Sequence, residues 1–162
     1  MVEFNFPTYS FRLKSKENKV FIFDILRKKE VVLTPEEWVR QHVVHWLLKD
    51  KNYPASIIAI EKQLQLNKTT KRTDILLFDK KGMPDVIVEC KAPHIPITQA
   101  SFDQIARYNL QLNANVLMVT NGLQHYYCAI DHLKEQVDIV CLSKGITGGV
   151  LPLGVTVCTQ NI

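Results

Sequence analysis

Long apolar runs are missing from this chain. The apolar stretches are short, such as Val43-Val44 and Trp46-Leu47-Leu48, split by His45, far below the ~18 consecutive apolar residues that a membrane span needs. A spanning helix is excluded. Glycine and proline are scarce, six and seven, and only Gly145 to Gly149 forms a small glycine-rich loop. Repeats, low-complexity segments and flexible linkers are therefore not expected. No GxxxxGK[ST] phosphate loop occurs, so an ATP-driven motor would have to come from a partner. Cysteine is confined to Cys90, Cys128, Cys141 and Cys158, spaced too widely for a CxxC redox pair or a zinc knuckle. These thiols are expected to be reduced and mostly buried, as small hydrophobes. No basic start leads into an apolar run and no lipidation motif follows Met1, which makes the cytoplasm the expected location.

What is present is ordinary globular composition, 46% hydrophobic and 22% charged over 162 residues. A chain of this length buries roughly 68–70% of the surface its unfolded form exposes. One domain over residues 1–162 is expected, with N-terminal strands in 1–33, a core in 34–142 and a C-terminal extension in 143–162. The net charge of +4 is unevenly spread: residues 1–100 hold 17 Lys and Arg against 12 acids, residues 101–162 three against four. Lys62, Lys68, Lys71 and Arg72 cluster just before a strand-like segment. They can neutralise phosphates on an approaching polyanion, or simply remain solvated.

Local signals give the order of elements. Val20 to Leu26 and Glu30 to Leu33 read as a hairpin around the charged turn Arg27-Lys28-Lys29. Thr34 offers an N-cap and Pro35 suits the first helical position, and Val39, Val43, Trp46 and Leu47 recur at helical spacing up to Lys49. Ile57 to Leu64 reads as a strand. Thr73 to Asp79 and Asp85 to Lys91 flank Lys80-Lys81-Gly82-Met83-Pro84 and should form an antiparallel hairpin. Gln99 to Leu112 follows as a helix burying Phe102, Ile105, Ala106 and Leu112, after Pro93 and Pro96 end the preceding strand. Asn115 to Thr120, Gln124 to Ile130 and Val137 to Leu142 are further strands, the first two joined through Asn121-Gly122. The sum is an α/β (α+β) chain with a mixed sheet flanked by helices. The apolar tail Val150 to Val157 either completes the sheet or supplies an interface strand for a homodimer.

Chemistry concentrates in the central hairpin. Folded about Gly82, it sets Asp74 opposite Glu89, Cys90 and Lys91. Side chains alternate along a strand, so Glu89 and Lys91 share a face while Val86, Val88 and Cys90 take the other. Asp74 and Glu89 each interrupt an apolar strand, where an unpaired charge would cost several kcal/mol. Two opposed carboxylates suit one hard cation such as Mg²⁺, with Mn²⁺ as a substitute, completed by a backbone carbonyl at Cys90 and a substrate phosphate oxygen. Lys91 beside them can orient a nucleophile or stabilise a pentavalent transition state. Phosphodiester hydrolysis is the natural reaction of such a set.

Asp74 followed after 14 residues by Glu89-Cys90-Lys91 resembles the signature of the PD-(D/E)XK nuclease superfamily, with Thr73 where the signature's proline would stand. More specifically, Pro35-Glu36-Glu37, Val39-Arg40-Gln41, Arg72 to Asp74, Glu89-Cys90-Lys91-Ala92-Pro93 and Gln104 to Tyr108 together resemble the N-terminal nuclease-like domain of type I restriction enzyme R subunits. The resemblance spans roughly residues 30 to 125. It implies a restriction-endonuclease-like core and a Mg²⁺-dependent DNA endonuclease of restriction type. It implies an acid on the first helix as well, which Glu36 and Glu37 fill equally; Glu37 is also placed to close a capping box with Thr34. Gln104 and Tyr108 resemble the QxxxY motif of RecB-like nucleases, where they brace the site or contact DNA. Arg40, Lys71 and Arg72 are candidate phosphate contacts. Asn121 suits its turn, although the resemblance also implies a similar Asn-Gly near the site, and the histidines His42, His45, His94, His125 and His132 read as structural or incidental.

Two other functions suit the same residues: a non-cleaving DNA-binding or assembly module of a restriction or repair complex, and a structure-specific repair or junction nuclease. The partners expected are DNA and a motor or specificity protein, with no membrane.

Overall fold

The computed structural model describes residues 3–66, 69–130, 139–142 and 155–158. The chain opens with three short antiparallel strands, β1 (Leu13–Lys16), β2 (Lys19–Asp24) and β3 (Lys29–Val32), in the order β1-β2-β3. The β2–β3 hairpin matches the sequence expectation, with Asp24 paired to Lys29 at the turn. Strand β1 has no counterpart in that reading, because Leu13-Lys14-Ser15-Lys16 is exposed along its whole length and carries no alternation.

Helix α1 (Pro35–Lys49) begins where Thr34 and Pro35 place it, and Thr34 Oγ1 accepts the Glu37 amide at 3.0 Å. The reciprocal half of the expected capping box is not made. The Thr34 amide donates instead to the Val32 carbonyl at 3.0 Å. Every residue from Val39 to Leu47 is buried, the signature of a helix covered on all sides. Val39, Val43, Val44 and Leu47 pack on the sheet below. Above, Phe4, Tyr9 and Phe11 contribute ring contacts to His42 and His45 at centroid distances of 4.6–6.1 Å.

The expected strand over 57–64 is broken in two. A 3₁₀ turn (Ala55–Ile57) leads to β4 (Ile58–Ile60), and β5 (Gln63–Leu66) pairs separately with β6 (Thr69–Arg72). The break falls at Glu61, whose φ of 51° turns the chain out of the strand. Strands β7 (Ile75–Phe78) and β8 (Pro84–Cys90) form the expected hairpin, with Ile75 opposite Val88. Its turn is held by Asp79 Oδ1, which accepts the amides of Lys81 and Met83, both at 2.8 Å.

Helix α2 (Gln99–Leu112) covers the span expected of it and ends at Asn113 in the left-handed conformation. Its buried set differs from expectation: Ala106 is exposed, while Ser101 and Tyr108 join Ile105 inside. Strands β9 (Val116–Thr120) and β10 (His125–Ala129) complete an antiparallel pair through the Asn121-Gly122 turn. The five-stranded sheet runs β10-β9-β8-β7-β4, mixed because β8 and β9 are parallel across α2. Strand β11 (Ile139–Leu142) pairs with β12 (Val155–Cys158), so the apolar tail meets β11; its other residues lie outside those described.

The sheet thus has two cores. Ile75, Leu77, Val88, Cys90 and Met118 face α1; Leu76, Ile87, Leu117 and Val119 face Ile105 and Tyr108 of α2. Alternation along β8 delivers Cys90 to the α1 side, as expected, and leaves Glu89 on the other.

Candidate active site

At the open end of β8 the hairpin brings the predicted trio together. The pairing of Ile75 with Val88 carries Asp74 opposite Glu89, one residue beyond the last paired position. Asp74 Oδ2 accepts the backbone amide of Cys90 at 2.6 Å, stitching the two strands exactly where the charges lie. Lys91 Nζ donates to Glu89 Oε1 at 2.8 Å, which confirms that these side chains share a face. Where the signature that this segment resembles has a proline, this chain has Thr73. Its amide donates to the Lys62 carbonyl at 3.1 Å, a bond that proline lacks the N–H to make.

Glu89 is a carboxylate held under stress. Burial, then the charge of Asp74, push its pKa up to about 7, against the hydrogen bond and charge of Lys91, which pull it down. Burial acts to lower the pKa of Lys91, but the hydrogen bond and charge of Glu89 hold it above the ordinary value. Helix α2 braces the pair. Gln104 Nε2 donates to Glu89 Oε1 at 2.6 Å and lies 3.1 Å from the Tyr108 hydroxyl, while Gln104 Oε1 accepts from Lys91 Nζ at 3.0 Å. Spacing of four residues puts Gln104 and Tyr108 on one face, as the motif requires.

The two first-helix acids separate. Glu36 remains nearly half exposed and its pKa is raised, first by burial and then by Asp74, with Arg40 and Lys91 opposing. Glu37 is buried and fully engaged: Oε1 accepts from Arg27 Nη2 at 2.6 Å and Gln41 Nε2 at 2.8 Å, and Oε2 from Arg40 Nη1. Glu36 therefore feels the charge of Asp74 directly, whereas Glu37 is committed to Arg27, Gln41 and Arg40.

Arg40 requires a correction. Expected as a phosphate contact, it is only 6% exposed, and its guanidinium lies between Glu37 and Asp74, with Nη2 at 2.6 Å from Asp74 Oδ1. Burial alone would lower its pKa; Asp74 and Glu37 more than reverse that. An arginine committed in this way is unavailable to an approaching backbone. Lys71 and Arg72 on β6 are exposed, as is Lys62 nearby, while Lys68 lies outside the described residues. Asn121 serves its turn, accepting the amides of Leu123 and Gln124 at 3.1 and 2.9 Å, and also donates to the Ile95 carbonyl at 3.0 Å. His42 and His45 bond the carbonyls of Trp38 and Gln41 inside α1, and His125 is buried in the β9–β10 turn. His94 is exposed, and His132 lies outside the described residues.

Four residues of the site region were not anticipated: Asp24, Arg27, Gln41 and Glu61. Asp24 is wholly buried within the apolar strand Lys19–Asp24. That is the same anomaly that marked Asp74, so the sequence did carry its signal.

Comparison with known proteins decides the family. Residues 35–143 match the model of the type I restriction enzyme R protein N terminus, about two thirds of the chain. The chain belongs to that family. Membership in the R protein N-terminal family bears out the resemblance to that domain drawn from the segments between Pro35 and Tyr108. Two curated proteins share local similarity. An adenosylmethionine-8-amino-7-oxononanoate aminotransferase of Synechococcus elongatus is 43% identical over 51 residues, 32% of this chain and 12% of that protein. A putrescine aminotransferase of Pectobacterium atrosepticum is 31% identical over 108 residues, 65% of this chain and 22% of that protein. The chain spans less than a quarter of the length of either relative. No solved structure matches it. Among the described residues no helix is long and apolar enough to cross a membrane.

Proposed function

We propose that this R protein N-terminal domain is a Mg²⁺-dependent DNA endonuclease of restriction type, with Asp74, Glu89 and Lys91 as its centre. The observation that carries the reading is their convergence at the end of β8, with the Lys91 ammonium 2.8 Å from Glu89 Oε1 and braced by Gln104.

The donor set fits a hard cation. Around the centre and the network behind it stand Asp24, Glu36, Glu37, Glu61, Asp74 and Glu89, against Arg27, Arg40 and Lys91. The acids outnumber the bases, and the charge of Asp74 adds to the effect of burial in raising the pKa values of Glu36 and Glu89. Among the described residues no three ligating side chains form a ready-made cage. Mg²⁺ does not require one, because it keeps waters and substrate oxygens in its shell. Asp74, Glu89 and the Cys90 carbonyl would hold it. When bound, the ion supplies Lewis acidity toward a phosphodiester.

The chain's own groups do the rest. Arg40 fixes Asp74 through Oδ1 and the Cys90 amide fixes it through Oδ2. Lys91 presents an ammonium donor where negative charge develops in phosphoryl transfer, a placement worth roughly 10²–10³-fold in rate for comparable donors. Gln104 braces the Lys91–Glu89 pair by bonding both members, and Tyr108 steadies Gln104. Glu36, acidic and accessible, is placed to manage a proton at the entrance. Lys62, Lys71 and Arg72 offer phosphate contacts on the exposed β5–β6 side.

The test is incubation with plasmid, linear, single-stranded and branched DNA in Mg²⁺ or Mn²⁺. Wild type should nick or cut, and Lys91→Ala should lose at least ~10²-fold while keeping its circular dichroism spectrum. Equal activity in both removes the assignment. Branched DNA preferred over linear would redirect it to a junction or repair nuclease. Salt-sensitive retention of DNA on a filter, with no product at high protein concentration, would redirect it to a binding or assembly module.

A further inference from the structure

Three acids and two arginines alternate through the interior from the N-terminal sheet to Asp74. Asp24 starts the series at the end of β2. Its Oδ1 accepts the amides of Leu26 and Arg27 at 2.8 and 2.7 Å, and its Oδ2 accepts Arg27 Nε at 2.6 Å and Gln41 Nε2 at 2.8 Å. Arg27 extends its two remaining nitrogens away from that turn, Nη2 to Glu37 Oε1 at 2.6 Å and Nη1 to Glu61 Oε2 at 2.7 Å. Glu37 meets Arg40 through its other oxygen, and Arg40 reaches Asp74 Oδ1 at 2.6 Å. One guanidinium therefore joins the N-terminal sheet, the first turn of α1 and the bend between β4 and β5. A planar fork with fixed donor directions can do this; a lysine ammonium cannot satisfy three acids so spaced.

We infer that Arg27 is a positioning residue of the Asp74 centre, acting through Glu37 and Arg40 to set the direction in which Asp74 presents its oxygens. The inference rests on the reading of that centre as a divalent-cation site. Arg27 lies outside residues 35–143 that match the family, so the N-terminal sheet is part of the site's support. Partners that orient a ligating carboxylate typically govern metal affinity by about 10–100-fold.

The sign of the effect separates positioning from mere charge. If Arg27 were only a nearby positive charge, its neutralisation would strengthen attraction for a cation. If it positions Asp74, neutralisation loosens the site and weakens binding. The experiment titrates the full chain with Mn²⁺ alone, following free Mn²⁺ by electron paramagnetic resonance, in wild type, Arg27→Lys, Arg27→Gln and Lys29→Gln. Lys29 is an exposed cation of the same hairpin. Expected are affinities in the order wild type, Arg27→Lys, Arg27→Gln, with the last roughly tenfold or more below wild type and Lys29→Gln unchanged. Arg27→Lys retains a charge against Asp24 and serves as the test where Arg27→Gln does not fold, as judged by near-ultraviolet circular dichroism. Unchanged or tighter Mn²⁺ binding in a folded Arg27 variant overturns the inference and leaves the cation site standing. Equal weakening in Lys29→Gln also overturns it. No Mn²⁺ binding by folded wild type overturns the cation site itself and the inference with it.

Discussion

The guanidinium of Arg40 is 2.6 Å from Asp74 Oδ1, and both groups lie almost out of reach of solvent. A buried pair is costly to assemble and costlier to break, since removing one partner strands the other, typically at 3–5 kcal/mol. Arg40→Met should lower unfolding free energy by about 3–5 kcal/mol in urea denaturation, because it strands Glu37 as well as Asp74. Combining it with Asp74→Asn should recover part of that loss. Additive losses in the double variant would mean that the two groups are not coupled.

Glu36 and Glu37 are neighbours in sequence with different fates, and substitution should expose the difference. Glu37→Gln leaves Arg27 and Arg40 each short of a charged acceptor, and should cost about 2 kcal/mol. Glu36→Gln removes a carboxylate whose pKa is raised by burial and by Asp74. Stability should then stay within about 0.5 kcal/mol of wild type, while DNA cleavage falls roughly 10²-fold. The measurements are urea denaturation and plasmid nicking on the same preparations. A destabilised Glu36→Gln that cuts normally would reverse the assignment.

Elements with local signals were legible in the sequence: Thr34-Pro35 fixed the start of α1, and Lys80 to Pro84 fixed the β7–β8 turn and so the meeting of Asp74 with Glu89. What was not legible depends on distant partners. The strand expected over 57–64 breaks because Glu61, not glycine, adopts positive φ, and nothing nearby in the chain announces it. Glu37 had a sound local role as a capping acid, but Arg27 folds back across the β2–β3 turn and claims its side chain. Arg40 looked like a surface cation because the partner that buries it, Asp74, comes from the β7–β8 hairpin 34 residues further along the chain. Tyr108 was placed correctly by its spacing from Gln104; Ala106, between them, faces solvent.

The brace from α2 should be graded. Gln104 contacts Glu89, Lys91 and Tyr108, whereas the Tyr108 hydroxyl is 3.1 Å from Gln104 Nε2. Gln104→Ala should reduce cleavage about 10–100-fold, as loss of a group orienting a ligating carboxylate does. Tyr108→Phe keeps the buried ring and gives up one hydrogen bond of about 1 kcal/mol, so its loss should be severalfold at most. Cleavage rates at saturating Mg²⁺ compare the two. A Tyr108→Phe defect as large as that of Gln104→Ala would make the hydroxyl a direct DNA contact.

Gly122 turns the chain between β9 and β10 with φ of 87°, and a Cβ built there would lie 2.9 Å from the Phe4 ring. The N-terminal segment is seated against this turn, with the Asn5 amide donating to the Gly122 carbonyl at 2.8 Å. Gly122→Ala should therefore carry both backbone strain and a displaced aromatic ring, costing about 1–3 kcal/mol. Phe4→Ala in the same chain should relieve the steric part but not the strain. Thermal denaturation of the single and double variants checks this; a neutral Gly122→Ala would overturn both parts, and a Gly122→Ala cost that Phe4→Ala leaves unchanged would mean that Phe4 does not seat on the turn.

His125 lies beneath the same turn. Its Nε2 faces the Asn5 carbonyl at 3.2 Å, an acceptor, so Nε2 carries the proton and Nδ1 accepts from the Thr120 hydroxyl at 2.7 Å. Burial lowers its pKa to about 4, so the folded protein resists a proton that the unfolded chain takes up near pH 6.5. Stability from this group is complete above about pH 6.5 and is lost as pH falls toward 4, on the order of 3 kcal/mol in full. Glu89 acts in the opposite sense over part of that window, since its raised pKa makes ionisation above pH 4.5 unfavourable to the fold. The informative quantity is the difference between wild type and His125→Gln in urea denaturation at intervals from pH 4.5 to 7.5. Wild type should gain stability relative to the variant as pH rises from 4.5 to 6.5 and hold the gain above. A difference that does not vary with pH would mean that His125 is open to solvent and titrates alike in both states.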